Sequence, residues 1–372
     1  MSTEYLRTPS LARIAAAALA VCLIQPLALS ASTPTAVERE SDALIRSLDP
    51  SDLPGEWKLP AHTGHVVDYQ VSEWNQYVIQ GESNRAADYG ITFSVVDAGL
   101  DAEASIAGID ELLENNIEVL NFTAVDQAAS AGRITDVRDG GIPVICATSH
   151  VDGCATVVSA DDYGAAYAVG VWAGNYVRDN FNGTANVLDI GYPTLDSTQT
   201  RSVGFHDGIV SVLGNDAVVT TSVDGNGLSD VSVTVAAEAL LANPDINVIF
   251  GINDDSAIGG LQAYEAAGLN LDTLLVVGFG CAGNDCKDLL MENGPFKVSA
   301  ATFPEYQGRL LIDVGVAAFN GMALPSHFLA PSVPLSSGNV EKYYALEDET
   351  WVADLGAISA IPITTAQGNG AE

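Results

Sequence analysis

Strand-like and helix-like segments alternate through both halves of this chain, and this alternation limits the folds it can adopt. Residues 91–96 form a short β-branched run, and residues 102–115 then carry apolar side chains at helical spacing. The other predicted strands cover 119–122, 143–147, 185–190, 218–223, 248–251 and 274–279. Strands that alternate with helices predict βαβ units, and therefore α/β architecture with parallel sheets. Because such sheets bind ligands at the carboxyl ends of their strands, we expect functional residues in the loops that follow strands.

Charge and length narrow the class of protein. Asp and Glu number 48 against 14 Lys and Arg, a formal net charge of −34 over 372 residues. This excess argues against nucleic acid or an anionic membrane as the main partner, since both attract clustered cations. With 48 % hydrophobic residues the chain has enough apolar surface for a core, and its length predicts two domains or one bilobal unit. A protein with this net charge repels other copies of itself at low salt, and dissolved salt screens that repulsion. We therefore expect a saline environment.

The amino terminus has the pattern of a secretory signal. Arg7 and Arg13 precede an apolar stretch at 14–24, which Pro26 and then small residues follow. That stretch is too short to span a bilayer, so we expect cleavage near Ser30 and export to the periplasm. Lipid attachment at Cys22 is an alternative. Residues 1–30 are thus predicted as a signal peptide, 31–61 as a leader or linker, and 359–372 as a flexible tail.

Export places the remaining cysteines in an oxidising compartment, which favours disulfides. Cys146 and Cys154 are close in sequence, as are Cys281 and Cys286, and each pair follows a predicted strand. We therefore predict two local disulfides. Pairing across the two groups and a four-cysteine zinc site remain alternatives, although neither spacing is C-x₂-C.

No complete catalytic signature stands out. The sequence contains no G-x-S-x-G elbow, no P-loop and no H-E-x-x-H, and we expect no G-x-G-x-x-G that opens a helix after a strand. Without a nucleophile, base and orienting group, we expect a protein that is not an enzyme and that needs no metal or cofactor.

Several local patterns, in a fixed order, resemble one family. The first pattern is a predicted helix with Trp74, Gly81 and Gly90 in it or beside it. The patterns that follow are GIPVI at 141–145, DDYG at 161–164, RSVGF at 201–205, NPD at 243–245, NDDSAIG at 253–259, VVGF at 276–279 and NVEKYY at 339–344. The family's counterparts to six of these are N-I-P-V-I, D-N-x-x-G, R-x-x-G-F, H-P-D, N-D-x-x-A-x-G and V-V-G-F. From about residue 64 to 344 the chain is similar to the type I periplasmic binding proteins, the sugar-binding group that includes ribose-binding protein.

The resemblance implies two Rossmann-like lobes joined by three crossing strands, which close on a small polar, carbohydrate-like molecule. The lobes would be 62–162 with 303–330, and 163–302 with 331–358. The implied partners are the small-molecule ligand and the membrane permease of an ABC importer, and we expect a monomer. A sensory receptor of the same fold and a secreted enzyme are the alternatives. DNA binding, which repressors of this fold perform, is disfavoured by the acidity and the export signal.

The resemblance also suggests which side chains bind the ligand. Arg201 matches the family's ligand arginine, although a surface ion pair would equally explain an arginine on a helix. Asn253 matches an asparagine at a strand end, and its alternative role is to cap the next helix. Trp74 falls where relatives stack an aromatic ring on a sugar. The other candidates are Ser149, His150, Phe279 and Thr302, and core packing is the alternative for Phe279 and Thr302.

This chain departs from the family at two positions that normally carry a carboxylate. Thr148-Ser149 stands where relatives have Asp-Arg, and Gly280 replaces the Asp that relatives carry after V-V-G-F. Carboxylates accept hydrogen bonds from sugar hydroxyls. We therefore expect a ligand that is less hydroxylated, or one that brings a negative charge to Arg201.

Overall fold

Strands and helices alternate along the chain in the computed structural model, which describes residues 43–292 and 294–363. The predicted signal segment at 1–30 and the end of the tail from residue 364 lie outside the described residues. The strands are β1 (His62–Val67), β2 (Thr92–Asp97), β3 (Val119–Thr123), β4 (Val144–Ala147), β5 (Thr156–Ala160), β6 (Ala185–Gly191), β7 (Val218–Asp224), β8 (Val248–Gly251), β9 (Leu275–Gly280), β10 (Phe296–Ala301), β11 (His327–Ala330), β12 (Val333–Leu335), β13 (Tyr344–Glu347) and β14 (Thr350–Ala353). The helices are α1 (Glu73–Tyr89), α2 (Ala102–Glu114), α3 (Gln127–Asp139), α4 (Asp162–Asn180), α5 (Asp196–Leu213), α6 (Ser229–Ala242), α7 (Asp254–Ala266), α8 (Gly283–Met291), α9 (Pro304–Phe319) and α10 (Leu355–Ser359).

The strands form two six-stranded sheets and one hairpin. The first sheet has the order β11-β5-β4-β3-β1-β2 and is parallel throughout. The second has the order β12-β10-β9-β8-β6-β7, in which β12 runs antiparallel to β10. Strands β3, β4, β5, β8 and β9 are buried along their whole length, as expected when helices cover both faces of a parallel sheet. The predicted α/β fold with parallel sheets in two lobes is confirmed.

The chain passes from one sheet to the other at three places. After β5 it continues into α4, which packs against β9 and β10 of the second sheet. After β10 it continues into α9, which returns to the first lobe and packs against α1, β3 and β4. The third passage leads from β11 to β12. The carboxyl ends of β5 and β10 therefore lie where the lobes meet.

The leader before β1 is anchored to the first lobe. Ile45 and Leu48 are buried, and the carbonyl of Leu48 accepts a hydrogen bond from Arg85 Nη2 at 2.7 Å. Arg46 Nη2 donates to the carbonyl of Leu329 in β11 at 2.6 Å. Within the described residues, the leader adds apolar surface to the core.

The cysteines pair locally, in agreement with the sequence prediction. Cys146 is bonded to Cys154 in the first lobe, with Cα atoms 5.8 Å apart, and Cys281 to Cys286 in the second, with Cα atoms 5.4 Å apart. Because the pairs lie in different lobes, the four-cysteine zinc site considered above is not formed. None of the helices in this part of the chain is long and apolar enough to cross a membrane.

Removal of either disulfide is expected to lower stability moderately. A loop of six to nine residues loses enough closure entropy to make each bridge worth about 2 to 3 kcal/mol. We expect Cys146→Ala/Cys154→Ala and Cys281→Ala/Cys286→Ala each to lower the free energy of unfolding by about this amount, measured by denaturant titration. Alkylation of the unfolded, unreduced protein provides the control. Label on any of these four cysteines would contradict the pairing.

Candidate functional site

A small polar cavity lies between the two lobes. Its lining comes from both: Trp74, Thr148, Ser159, Ala160, Asp162, Arg201, Thr302 and Gln307. Its volume is about 10 Å³, enough for about one water. Sites for small molecules usually measure about 300–1,000 Å³. A monosaccharide therefore enters only if the lobes or their side chains move apart.

Arg201 lies in this cavity and is held by groups of the second lobe and the crossing segment. Its Nε donates to Asp162 Oδ1 at 2.7 Å, and its Nη1 donates to the carbonyl of Ile252 at 3.0 Å. The guanidinium stacks over the ring of Phe279, with Cζ 4.2 Å from the centroid. These contacts fix the orientation of the planar guanidinium.

Asp162 provides a carboxylate that the sequence reasoning did not assign to the site. It is the first residue of α4, directly after the Asp161 side chain that caps this helix. Burial raises the pKa of Asp162, and the neighbouring Arg201 guanidinium opposes that rise. The signal in the sequence was an Asp in place of the Asn of D-N-x-x-G.

Trp74 and Thr302 meet across the lobes. Trp74 Nε1 donates to Thr302 Oγ1 at 3.3 Å, and Gln307 Nε2 donates to the Thr302 carbonyl at 2.9 Å. Trp74 lies in the first turn of α1, and Thr302 follows β10 at a lobe passage. Both predicted residues line the cavity, together with Gln307, which sequence reasoning missed.

Ser149 and His150 occupy different places. Ser149 Oγ lies 3.5 Å from Ser197 Oγ at the start of α5, so it contacts the opposite lobe next to the cavity. The His150 side chain is 60 % exposed and its Nε2 lies 3.5 Å from Asp152. It does not line the cavity, whereas Thr148 does.

Asn253 caps α7, the alternative raised from the sequence. Its Oδ1 accepts from the Ser256 N–H at 2.8 Å, and its Nδ2 donates to the Gly227 carbonyl at 2.9 Å. Phe279 is buried and supports Arg201. Phe279 thus acts on the cavity through Arg201, whereas the Asn253 side chain contacts none of the residues that line the cavity.

The expectation that no G-x-G-x-x-G opens a helix after a strand is wrong. Gly278 and Gly280 at the end of β9 and Gly283, the first residue of α8, form this pattern, which often binds phosphate. Carboxylates of the protein itself occupy this place. Asp254 accepts from the Cys281 N–H, and Glu73 of the first lobe accepts from the Asn284 N–H. A Cβ at Gly283 would overlap the Glu73 carboxylate, so glycine permits this contact between lobes.

Buried charged side chains lie around the contact between Glu73 and the start of α8. Lys287 is fully buried, and its Nζ donates to the carbonyls of Cys281 and Gly283 at 2.9 and 2.6 Å. The same Nζ lies 4.1 Å from the centroid of the Tyr344 ring. Burial lowers the pKa of Lys287 and raises the pKa of Glu305, and each group opposes the shift of the other.

Stability should depend on pH through Asp254. Burial raises the pKa of Asp254 to about 7, against hydrogen bonds from Ser299 and Cys281. Between about pH 4 and pH 7 the folded state therefore holds a proton that the unfolded state has lost. The free energy of unfolding then falls as the pH rises through this range, by up to about 1.4 kcal/mol per pH unit. Asp254→Asn should show a smaller fall in urea titrations across this range. The other buried carboxylates titrate in both the wild type and the variant. If the free energy of unfolding fell equally with pH in both, the assignment of this pH dependence to Asp254 would be contradicted.

The chain matches a family defined by sequence. Residues 63–323 match the family described as "Periplasmic binding protein domain". The chain is 25 % identical over 291 residues to the ribose import binding protein RbsB of Bacillus subtilis, covering 75 % of this chain and 90 % of that protein. It is 23 % identical over 231 residues to RbsB of Escherichia coli, covering 61 % and 74 %.

Solved structures share the fold. A solute-binding protein of an ABC transporter from Mycobacterium smegmatis, with bound glycerol, has a TM-score of 0.71 and 20 % identity over 79 % of this chain and 99 % of that one. One from Actinobacillus succinogenes, with bound D-allose, has a TM-score of 0.69 and 20 % identity over 76 % and 99 %. The two sheets and the cavity between them give this chain a two-lobed α/β architecture. The chain belongs to the periplasmic binding protein family.

Proposed function

We propose that this protein captures a small, neutral, polyhydroxylated molecule between its lobes and delivers it to the permease of an ABC importer. The main support is the cavity, which takes its polar side chains from both lobes. The relatives named above are import binding proteins, so the proposal is binding without catalysis. We further propose that the protein acts as a monomer in the periplasm after removal of a signal peptide.

The charge of the cavity favours a neutral ligand. Asp162 already neutralises Arg201, with side chains only 13 % and 18 % exposed. A ligand carboxylate would therefore have to displace Asp162 or lie beside it at an electrostatic cost. Asp162 also supplies an acceptor for ligand hydroxyls, which offsets the carboxylates absent at Thr148 and Gly280. The proposed ligand therefore differs from both expectations drawn from the sequence, a less hydroxylated ligand and one that carries a negative charge.

Ligand capture requires hinge motion. The three passages between sheets, which we place at 162–163, 302–303 and 330–331, are the segments that would bend. Opening would separate Trp74 from Thr302 and Glu73 from Asn284, while each lobe keeps its own core.

A thermal-shift panel on the mature protein tests the function. A ligand that binds only the folded state raises the melting temperature by mass action. We expect neutral sugars or polyols to raise it, and sugar acids of the same size to raise it less. The proposal fails if nothing in the panel shifts the transition, or if only anionic compounds do.

A further inference from the structure

A second, larger cavity lies at the surface of the second lobe, between α5 and the strands β6 and β7, and its lining residues Thr220 and Ser222 are exposed. Its volume is about 330 Å³, which is within the range of sites for small molecules. Val187, Phe205 and Ile209 contribute apolar walls. None of its lining residues belongs to the interlobe cavity, so it is a separate site.

The sheet register explains why polar groups meet at one end of this cavity. Asp189 of β6 lies opposite Ser222 of β7, and Val187 lies opposite Thr220 two residues earlier. Side chains two apart point to the same face of a sheet, so all four face α5. Because β7 is the edge strand, this face is open to solvent on one side.

Asp189 is the charged group of the cavity. It is 8 % exposed, and its two carboxylate oxygens accept hydrogen bonds from Ser202 Oγ at 2.9 Å and Ser222 Oγ at 3.2 Å. The two serine hydroxyls provide hydrogen bonds to the carboxylate oxygens but carry no positive charge. None of the ion pairs between described residues involves Asp189. Burial raises the pKa of Asp189, and the hydrogen bonds from Ser202 and Ser222 and the charge of nearby His206 oppose that rise. His206 lines the cavity too, but its side chain is 42 % exposed and lies 3.6 Å from Asp207.

A buried carboxylate with no cation bonded to it is costly, and a cationic ligand would offset that cost. The apolar walls would in turn cover a hydrocarbon body. The net charge of −34 attracts cations to the protein surface generally. We propose that this cavity binds an organic ammonium ion, with its nitrogen at Asp189 and its apolar body against Val187, Phe205 and Ile209.

Phenethylamine is a suitable probe, because 2-phenylethanol is a neutral molecule of nearly the same shape. Methyl NMR signals of Val187, Val203 and Ile209 report on the cavity directly. We expect phenethylamine to shift these signals saturably and 2-phenylethanol to bind about tenfold more weakly or worse, which corresponds to about 1.4 kcal/mol for the lost charge interaction. Asp189→Asn should weaken phenethylamine by at least the same factor.

Two further variants keep the test decisive. Asp216→Asn removes an exposed charge outside the cavity and should leave binding unchanged. Val203→Trp fills the mouth of the cavity from a position that is 49 % exposed, and should abolish binding even if Asp189→Asn fails to fold. The proposal is overturned if the methyl signals do not move, if the alcohol binds as well as the amine, or if binding survives Val203→Trp.

Discussion

Arg201→Ala is expected to weaken ligand binding by about 2–5 kcal/mol, a loss of roughly 30-fold or more. The guanidinium is fixed by Asp162, the Ile252 carbonyl and the Phe279 ring, so binding a ligand between the lobes would cost it no further side-chain entropy. Calorimetric titration with the compound that gives the largest thermal shift measures the loss. Arg178→Ala, which removes an exposed arginine paired with Asp179, should bind as the wild type does.

The single variant also leaves the Asp162 carboxylate buried without its partner, so a loss of stability could be mistaken for a loss of binding. Arg201→Ala/Asp162→Asn separates the two effects. We expect this double variant to recover most of the stability while its affinity stays low. Wild-type affinity in either variant would mean that Arg201 does not touch the ligand.

Asp313→Ala is expected to lower the free energy of unfolding by about 3–5 kcal/mol, the usual cost of breaking a buried ion pair by removing one partner. The Asp313 carboxylate accepts from Arg85 Nε at 2.7 Å and from the Tyr89 hydroxyl at 2.6 Å, and the Arg85 and Asp313 side chains are 7 % and 1 % exposed. Without Asp313, the Arg85 side chain loses the partner that orients it. Because Arg85 also donates to the Leu48 carbonyl of the leader, we expect the leader to be held less firmly in the variant.

Asp110→Ala is the matched control, because Asp110 pairs with Arg133 at the surface and is 55 % exposed. We expect a change of at most about 1 kcal/mol there. Urea titration of both variants gives the comparison, and we expect the slope of the free energy of unfolding against urea concentration to stay the same as in the wild type. Equal destabilisation by the two substitutions would show that the buried pair contributes no more than a surface pair.

The architecture was largely predictable because periodicity reports local structure. The run at 248–251 is β8 at those residues, and the helix after Asn253 stops before Gly268, whose φ of +67° suits the left-handed region. Parallel sheets followed from the strand–helix alternation.

The site was predicted less completely, because a side chain's partners come from distant parts of the chain. Arg201 was identified by its matched position, but its pairing with Asp162, 39 residues earlier, has no local signal. Asn253 has a residue type that suits both a cap and a ligand, and the geometry of α7 uses it as the cap. The glycines at 278–283 were overlooked, and the carboxylates that fill their loop come from α7 and from the opposite lobe.

A crystal structure with the compound that most raises the melting temperature tests the central claim directly. We predict density for that compound between the lobes, with its hydroxyls within hydrogen-bonding distance of Arg201 and Asp162 and one face against Trp74. Density only at the protein surface, or only beside Asp189 in the second lobe, would contradict capture between the lobes.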